Sequence, residues 1–469
     1  MPSPHPARAR ALSLNPLAAC LAALLGATDA PATPASPHGA VVVTSCQDSG
    51  NGTLRDAVLN GPPGDPIDLT QLICGQISLT TGRIDVNRDV LIQGPGPDLL
   101  AIDGTHSDRV FNQNGNFTLA LYGLKLQHGY SNTFGGGCIY SKGPLLINNT
   151  VITSCQVIDF GSSGNSLGGA VLANSTLVMI NSTLTNNQIY SSLGSGLGGG
   201  AFVEGDLVLD HSTITHNSVA IASGGLTQSG GADVGGKLLM TSSTISDNAV
   251  SGISNNPGSF GGARVRGGAN ISNSTISGNT AGGVGGLMIY GSAASPNRIA
   301  NSTISGNTAQ SVGGVYARGQ TAIVSSTIAF NTETAVAHGG GLRLAYSSAD
   351  VESSIIASNT SAGSDQNIGL GIAGGVSGAN DLIGPSPSVT LPPGTIQSDP
   401  ELLALADNGG PTKTHALGAG SPAIDAGNND AAASFDQRGT GFPRIVGSAP
   451  DIGAYEGVDT DTIFANGFD

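Results

Sequence analysis

The peptide NSTISGNTA occupies residues 273–281 and recurs, letter for letter, at 301–309. It holds no acid, base or thiol, so its recurrence reads as architecture. Its relatives run along the chain as NTVITSC (149–155), NSTLTNN (181–187), HSTITHN (211–217), SSTISDN (242–248), NSTISGN (273–279 and 301–307), SSTIAFN (325–331) and SSIIASN (353–359). Between them lie glycine pairs or triplets at 135–137, 168–169, 198–200, 230–231, 261–262, 285–286, 313–314 and 339–341. A short apolar run, such as DLVLD at 206–210, precedes each phrase.

A period of 20–50 residues marks a repeat architecture in which one repeat is one structural unit. Each unit holds two or three runs of four to six residues rich in β-branched side chains, set apart by Gly, Asn and Ser. No helical period is long enough for a helical solenoid. With 72 Gly, 4% aromatic residues and no Trp, the chain also lacks the marks of a propeller blade. The pattern predicts an all-β fold, a single-stranded right-handed parallel β-helix whose coils stack about 4.8 Å apart. Alternation then places Ser274 and Ile276 inward, with Ile276 between Ile245 and Ile304. Asn279 ends the strand, takes a left-handed backbone and bonds the Asn one coil away. Asn187, Asn217, Asn248, Asn279, Asn307, Asn331 and Asn359 form the expected ladder, and the Gly pairs sit where a side chain would collide. Cys155 takes the ladder slot in the first of these coils, which hints at a disulfide there.

An open stack needs both ends protected. GTLRDAVLNGPPG (52–64) reads as a short capping helix with Thr53 as N-cap, Asp56 as its box partner and Leu54, Val58 and Leu59 as its apolar face. The chain divides into a signal peptide (1–30), a linker (31–40), an N-terminal cap (41–75), β-helix repeats (76–380), a C-terminal cap region (381–457) and a tail (458–469). Arg8 and Arg10 before a mostly apolar run fit a cleaved export signal. The run LAAC at 17–20 resembles a lipoprotein box and makes Cys20 an alternative lipid anchor. No later segment is apolar and long enough to span a bilayer. Export leaves Cys46, Cys74, Cys138 and Cys155. Three pairings are open to them; 46–74 and 138–155 are favoured because each closes a local loop, the alternative being buried free thiols. A net charge of −15 with 17 Lys+Arg argues against nucleic acid.

The GG(A/G)…NSTISGN pattern resembles the repeats of the pectin-lyase-like superfamily and of chlamydial polymorphic outer-membrane proteins. DNGGPT…GSPAIDAG…DQRG…DIGAYE, within 398–457, closely resembles the choice-of-anchor Q domain. That resemblance implies an exported protein, secreted or on the outer surface of a Gram-negative-type bacterium. The tail VDTDTIFANGFD differs from LPxTG-type or autotransporter endings and looks like short IFxxGF(E/D) tails of some Gram-negative exported proteins. The mode of anchoring stays open.

A lyase or hydrolase on this fold needs grouped carboxylates. From Gln76 to Asn380 there are only 15 Asp+Glu, and none repeat at one slot. LDHSTI at 209–214 resembles a lyase IDH motif, but His211 holds the slot of Asn181 and Asn273 and reads as a drifted repeat. His211 and His216 are too isolated for a metal site. In the acidic C-terminal segment Asp407, Asp425, Asp436, Asp451 and Glu456 are candidate Ca²⁺ ligands; the reading preferred is that they cap turns and pair with Arg438 or Arg444. The outward hydroxyls of the repeated strand, Thr183, Thr213, Thr244, Thr275 and Thr303 with their Thr or Ser partners two residues on, form a candidate binding face for a regular polymer; the alternative is ordinary β-propensity on a solvated face. The reading is of a non-enzymatic, exported scaffold or adhesin without a cofactor, whose partner is a polysaccharide or other cell-surface component. The alternatives are a polysaccharide lyase or glycoside hydrolase on the same fold, or a polysaccharide-binding module.

Overall fold

The structure, a computed structural model, describes residues 39–132, 134–159, 164–222, 228–251, 257–335, 338–372 and 374–457. The expected signal segment with Cys20, residues 31–38 of the linker and the tail 458–469 lie outside the described residues.

Strands of two to five residues, too short to fold alone, pair with their copies one repeat away. In one coil Ala201–Val203 leads to Leu207–Asp210, then Thr213–Thr215, then Ser218–Ile221. Each strand pairs parallel and in register with its counterpart in the next coil. The result is an all-β, right-handed-type parallel solenoid. Among the described residues its three main sheets have 11, 13 and 12 strands, one per turn, with an 8-stranded and a 4-stranded sheet alongside. The repeated phrase lies in the 12-stranded sheet, hereafter the Thr sheet. One continuous apolar core runs up the bore from Val43 to Val389. Ile245, Ile276 and Ile304 stack within it as the sequence predicts.

The asparagine ladder is present, and Asn279 shows its wiring. Its Oδ1 accepts from the backbone N–H and the Nδ2 of Asn248, both at 3.0 Å. Its Nδ2 donates to Ile245 O at 3.0 Å and to Asn307 Oδ1 at 2.9 Å. All seven predicted ladder residues are buried. The ladder starts at the Cys155 N–H, which donates to Asn187 Oδ1, and gains one rung beyond the expected seven, at Asn367. The sequence reading missed a second column. Each inward serine N–H donates to the serine Oγ of the next coil, from Ser182 through Ser212, Ser243, Ser274, Ser302 and Ser326 to Ser354.

One expectation is corrected. The left-handed residue is not the ladder Asn but the one before it: Asn186, His216, Asp247, Gly278, Gly306, Phe330 and Ser358 have φ between 55° and 67°. The strand thereby turns so that the following amide points inward, along the stack. The glycine pairs match this arrangement. A Cβ on Gly262 would stand 2.4 Å from Gly286 O and 3.1 Å from Asn279 Nδ2, so glycine is needed for close approach to the ladder.

At the N-terminal end Thr53 caps the helix Leu54–Asn60 by accepting from the Asp56 N–H. Leu54, Ala57 and Val58 are buried, whereas Leu59, expected on the apolar face, is 48% exposed. Disulfides Cys46–Cys74 and Cys138–Cys155 form as favoured. At the other end Leu382–Ile383 is the last strand of the Thr sheet, and Val389 closes the bore.

The serine column ends on a carboxylate: the Ser354 N–H donates to Asp381 Oδ1, and Asp381 Oδ2 is buried without a partner. Burial, helped by Glu352 and Asp350, pushes its pKa from 3.8 up to about 8. A carboxyl with a raised folded pKa loses stability as pH climbs from the unfolded value to the folded one, at about 1.4 kcal/mol per pH unit. Asp381→Asn removes this loss. Its melting temperature should exceed that of the wild type by several degrees at pH 9 and by much less at pH 4, as scanning calorimetry would read. Asn279→Ala strands several buried backbone and amide groups and should cost about 2–4 kcal/mol. Chemical denaturation should show that cost, while the exposed Asn181→Ser stays within about 0.5 kcal/mol of wild type.

Candidate functional site

Outside the bore, the Thr sheet sorts its chemistry into two columns. One runs Thr183, Thr213, Thr244, Thr275, Thr303, Thr327 and Ile355 in direct register. The other runs Thr185, Thr215, Ser246, Ser277, Ser305, Ala329 and Ala357 in the same pairs. Thr183, Thr213 and Thr244 are half-buried at the surface. Thr275 and Thr303 are not open, as the sequence reading had them; they are 1% and 0% exposed.

Residues 400–457 cover them. Expected to finish the end of the stack, this segment instead runs back along the Thr sheet. Thr275 Oγ1 donates to Lys413 O at 2.6 Å. Gln437 Nε2 donates to Thr275 Oγ1 at 2.9 Å, and its Oε1 accepts from Thr303 Oγ1 at 2.6 Å. Ser305 Oγ lies 2.7 Å from His415 Nε2. The Ala454 N–H donates to Thr327 Oγ1, and Ile452 with Ala423 packs on Ile355 and Ala357. Sequence reasoning missed His415, Lys413 and Gln437, which lie more than 100 positions from their partners. A signal was nonetheless present. The outward slots shrink from Thr to Ser to Ala, and the last Thr gives way to Ile355, as a face that becomes covered would require.

The acidic residues of the segment serve mainly to fix its turns. Asp436 forms a 2.6 Å ion pair with Arg438, whose guanidinium lies 4.0 Å from the ring centroids of both Phe442 and Tyr455. Asp425 accepts from the Ser448 and Ala449 N–H groups. Asp451 accepts from those of Asp425 and Gly457, and Asp407 from that of Gly409. Glu456 accepts from the Val446 and Asp451 N–H groups; burial pushes its pKa up to about 7. Among the described residues no group of three or more His, Cys, Asp or Glu is arranged to hold a metal ion. His211 bonds Asp210 and His216 bonds Thr215, each a chain neighbour.

Where the covering segment begins its contact it leaves two clefts. One, of about 270 Å³, lies between Thr244, Ser246, Asp247 and Ser277 of the sheet and Asp407, Gly410, Pro411 and Lys413 of the segment. The other, about 470 Å³, is bordered by Ser305, Gly306 and Phe330 on one side and Leu405, Lys413 and His415 on the other. The first lies at the upper end of the uncovered Thr rungs.

These pairings make the chain a parallel β-helix with a self-docked C-terminal segment. No protein-family model matches it, and no curated protein does. Among solved structures it is similar to "Crystal structure of pectate lyase Pel9A", with a TM-score of 0.42 and 15% identity over 90% of this chain and 97% of that one.

Gln437 joins both sides of the docked interface. Gln437→Leu should leave the Thr275 and Thr303 hydroxyls short of a partner and raise the opening of residues 400–457 by tenfold or more, about 1.4 kcal/mol. Limited proteolysis should then cut that segment correspondingly faster, with the β signal in circular dichroism retained.

Proposed function

We propose that this protein is an exported β-helix scaffold of adhesin type that holds a polysaccharide along the uncovered part of its Thr sheet. The carrying observation is the in-register series Thr183, Thr213 and Thr244, the free continuation of a face that elsewhere holds the chain's own segment by hydroxyl hydrogen bonds. Hydroxyls repeating at the coil spacing of about 4.8 Å match the scale of a regular hydroxyl-bearing polymer. The cleft at Thr244 and Lys413 marks one end of that track. Two disulfides favour an oxidising, extracytoplasmic compartment. The resemblance of residues 398–457 to the choice-of-anchor Q domain favours display at a cell surface. No helix among the described residues is long and apolar enough to cross a membrane.

The test is co-sedimentation of the protein with insoluble polysaccharides, neutral and acidic. The triple variant Thr183→Val, Thr213→Val and Thr244→Val keeps β-propensity and shape, and binding should fall at least tenfold while the melting temperature holds. Equal binding by wild type and variant would move the contact elsewhere. Release of unsaturated or reducing sugar by the wild type would replace the scaffold reading with a lyase or hydrolase.

A further inference from the structure

Docking of the C-terminal segment creates a pairing that a scaffold does not require. Ser305 Oγ lies 2.7 Å from His415 Nε2, and His415 Nδ1 lies 2.6 Å from Leu403 O. A carbonyl oxygen only accepts, so Nδ1 carries the proton and the lone pair of Nε2 faces the serine hydroxyl. Burial lowers the His415 pKa below its ordinary 6.5, which keeps the ring neutral at pH 7. The imidazole is also held from the side. The Phe330 ring centroid lies 5.0 Å from that of His415, and Phe330 reaches it with φ at 57°, a conformation that bulky residues rarely adopt. Other coils fill that slot with Asn186, His216, Asp247, Gly278, Gly306 or Ser358.

We propose that Ser305 and His415 form an acyl-transfer pair acting on esters with a short acyl group. A nucleophile, a base within hydrogen-bond reach and a third group that orients the base are the parts such chemistry needs. Both residues line the 470 Å³ cleft together with Gly278, Ala404 and Leu405, and only 2% and 3% of their surface is exposed, so a short acyl group reaches them more readily than a bulky one. As Ser305 Oγ bonds to the ester carbonyl carbon, its proton passes to His415 Nε2. Collapse then breaks the carbonyl–alkoxy bond, and the departing alcohol takes that proton. Water next attacks the acyl-serine carbonyl, giving a proton to Nε2, which returns it to Ser305 Oγ as the acid leaves. The sum is ester plus water to carboxylic acid plus alcohol. The developing oxyanion would draw on two nearby groups, the first of which must give up a long bond to the next coil. The Gly306 N–H, next in chain to the nucleophile, makes only a 3.4 Å bond to Ala329 O, and Lys413 borders the same cleft.

The activity goes beyond the scaffold reading and uses covered rungs rather than the open ones, so the failure of either leaves the other standing. Its test uses p-nitrophenyl acetate hydrolysis and modification by phenylmethanesulfonyl fluoride, mapped by peptide mass. The wild type should hydrolyse the ester with saturation and carry the label on Ser305. Ser305→Ala should abolish both with the β signal in circular dichroism retained, because Ala329 holds the same slot in the next coil. His415→Gln can still hydrogen-bond Ser305 but takes no proton, and should lower the rate 100-fold or more. The wild-type rate should fall in acid with a midpoint below 6.5. An unlabelled Ser305 in the wild type, or hydrolysis undiminished in Ser305→Ala, would overturn the assignment, and this comparison decides even where His415→Gln fails to fold.

Discussion

Each coil of this protein is a loop of about thirty residues with no secondary structure that survives alone, and the inward asparagine amide is what ties one coil to the next. Its oxygen accepts from both the backbone N–H and the amide of the coil before, while its nitrogen bonds that coil's strand and the next amide. Amides of this kind satisfy one another only when every coil keeps the same register. A slip of one residue would leave buried donors and acceptors empty along the whole column. The serine column repeats the constraint on the other side of the strand, and the glycine opposite each amide lets the backbones approach.

With register fixed, the outward face of the Thr sheet becomes a rack of evenly spaced hydroxyls. The chain uses part of that rack itself. Its last segment reaches Thr275, Thr303, Ser305 and Thr327 through Lys413 O, Gln437, His415 and the Ala454 N–H. Further along, the contact turns apolar at Ile355, Ala423 and Ile452. The remaining rungs and the clefts at the boundary follow from where that cover stops. The self-docked segment thus both removes binding surface and creates the enclosed chemistry around His415.

Much of this was legible in the sequence. The phrase repeats predicted the coil, the bore column of Ile245, Ile276 and Ile304, the seven ladder asparagines and the two disulfide pairings, because each depends on near neighbours or on exact recurrence. The backbone turn was misplaced by one residue. Asn was credited with the left-handed conformation because it tolerates it, whereas the preceding residue turns and frees the Asn amide for the ladder. Leu59 was counted as core on helical spacing, but a helix of two turns against one coil buries only its Leu54, Ala57 and Val58 side. Thr275 and Thr303 were read as open since alternation says which way a side chain points and nothing about what lies over it.

The sequence by itself determined the periodic part: a stack of coils, its inward chemistry and its hydroxyl face. Periodicity suffices there because every coil solves the same hydrogen-bonding problem with the same residues. The tertiary structure alone decided which rungs are covered, and it alone brought Ser305 to His415 and Thr303 to Gln437. Those partners lie 110 and 134 residues apart, in a segment that has no repeat to announce where it docks.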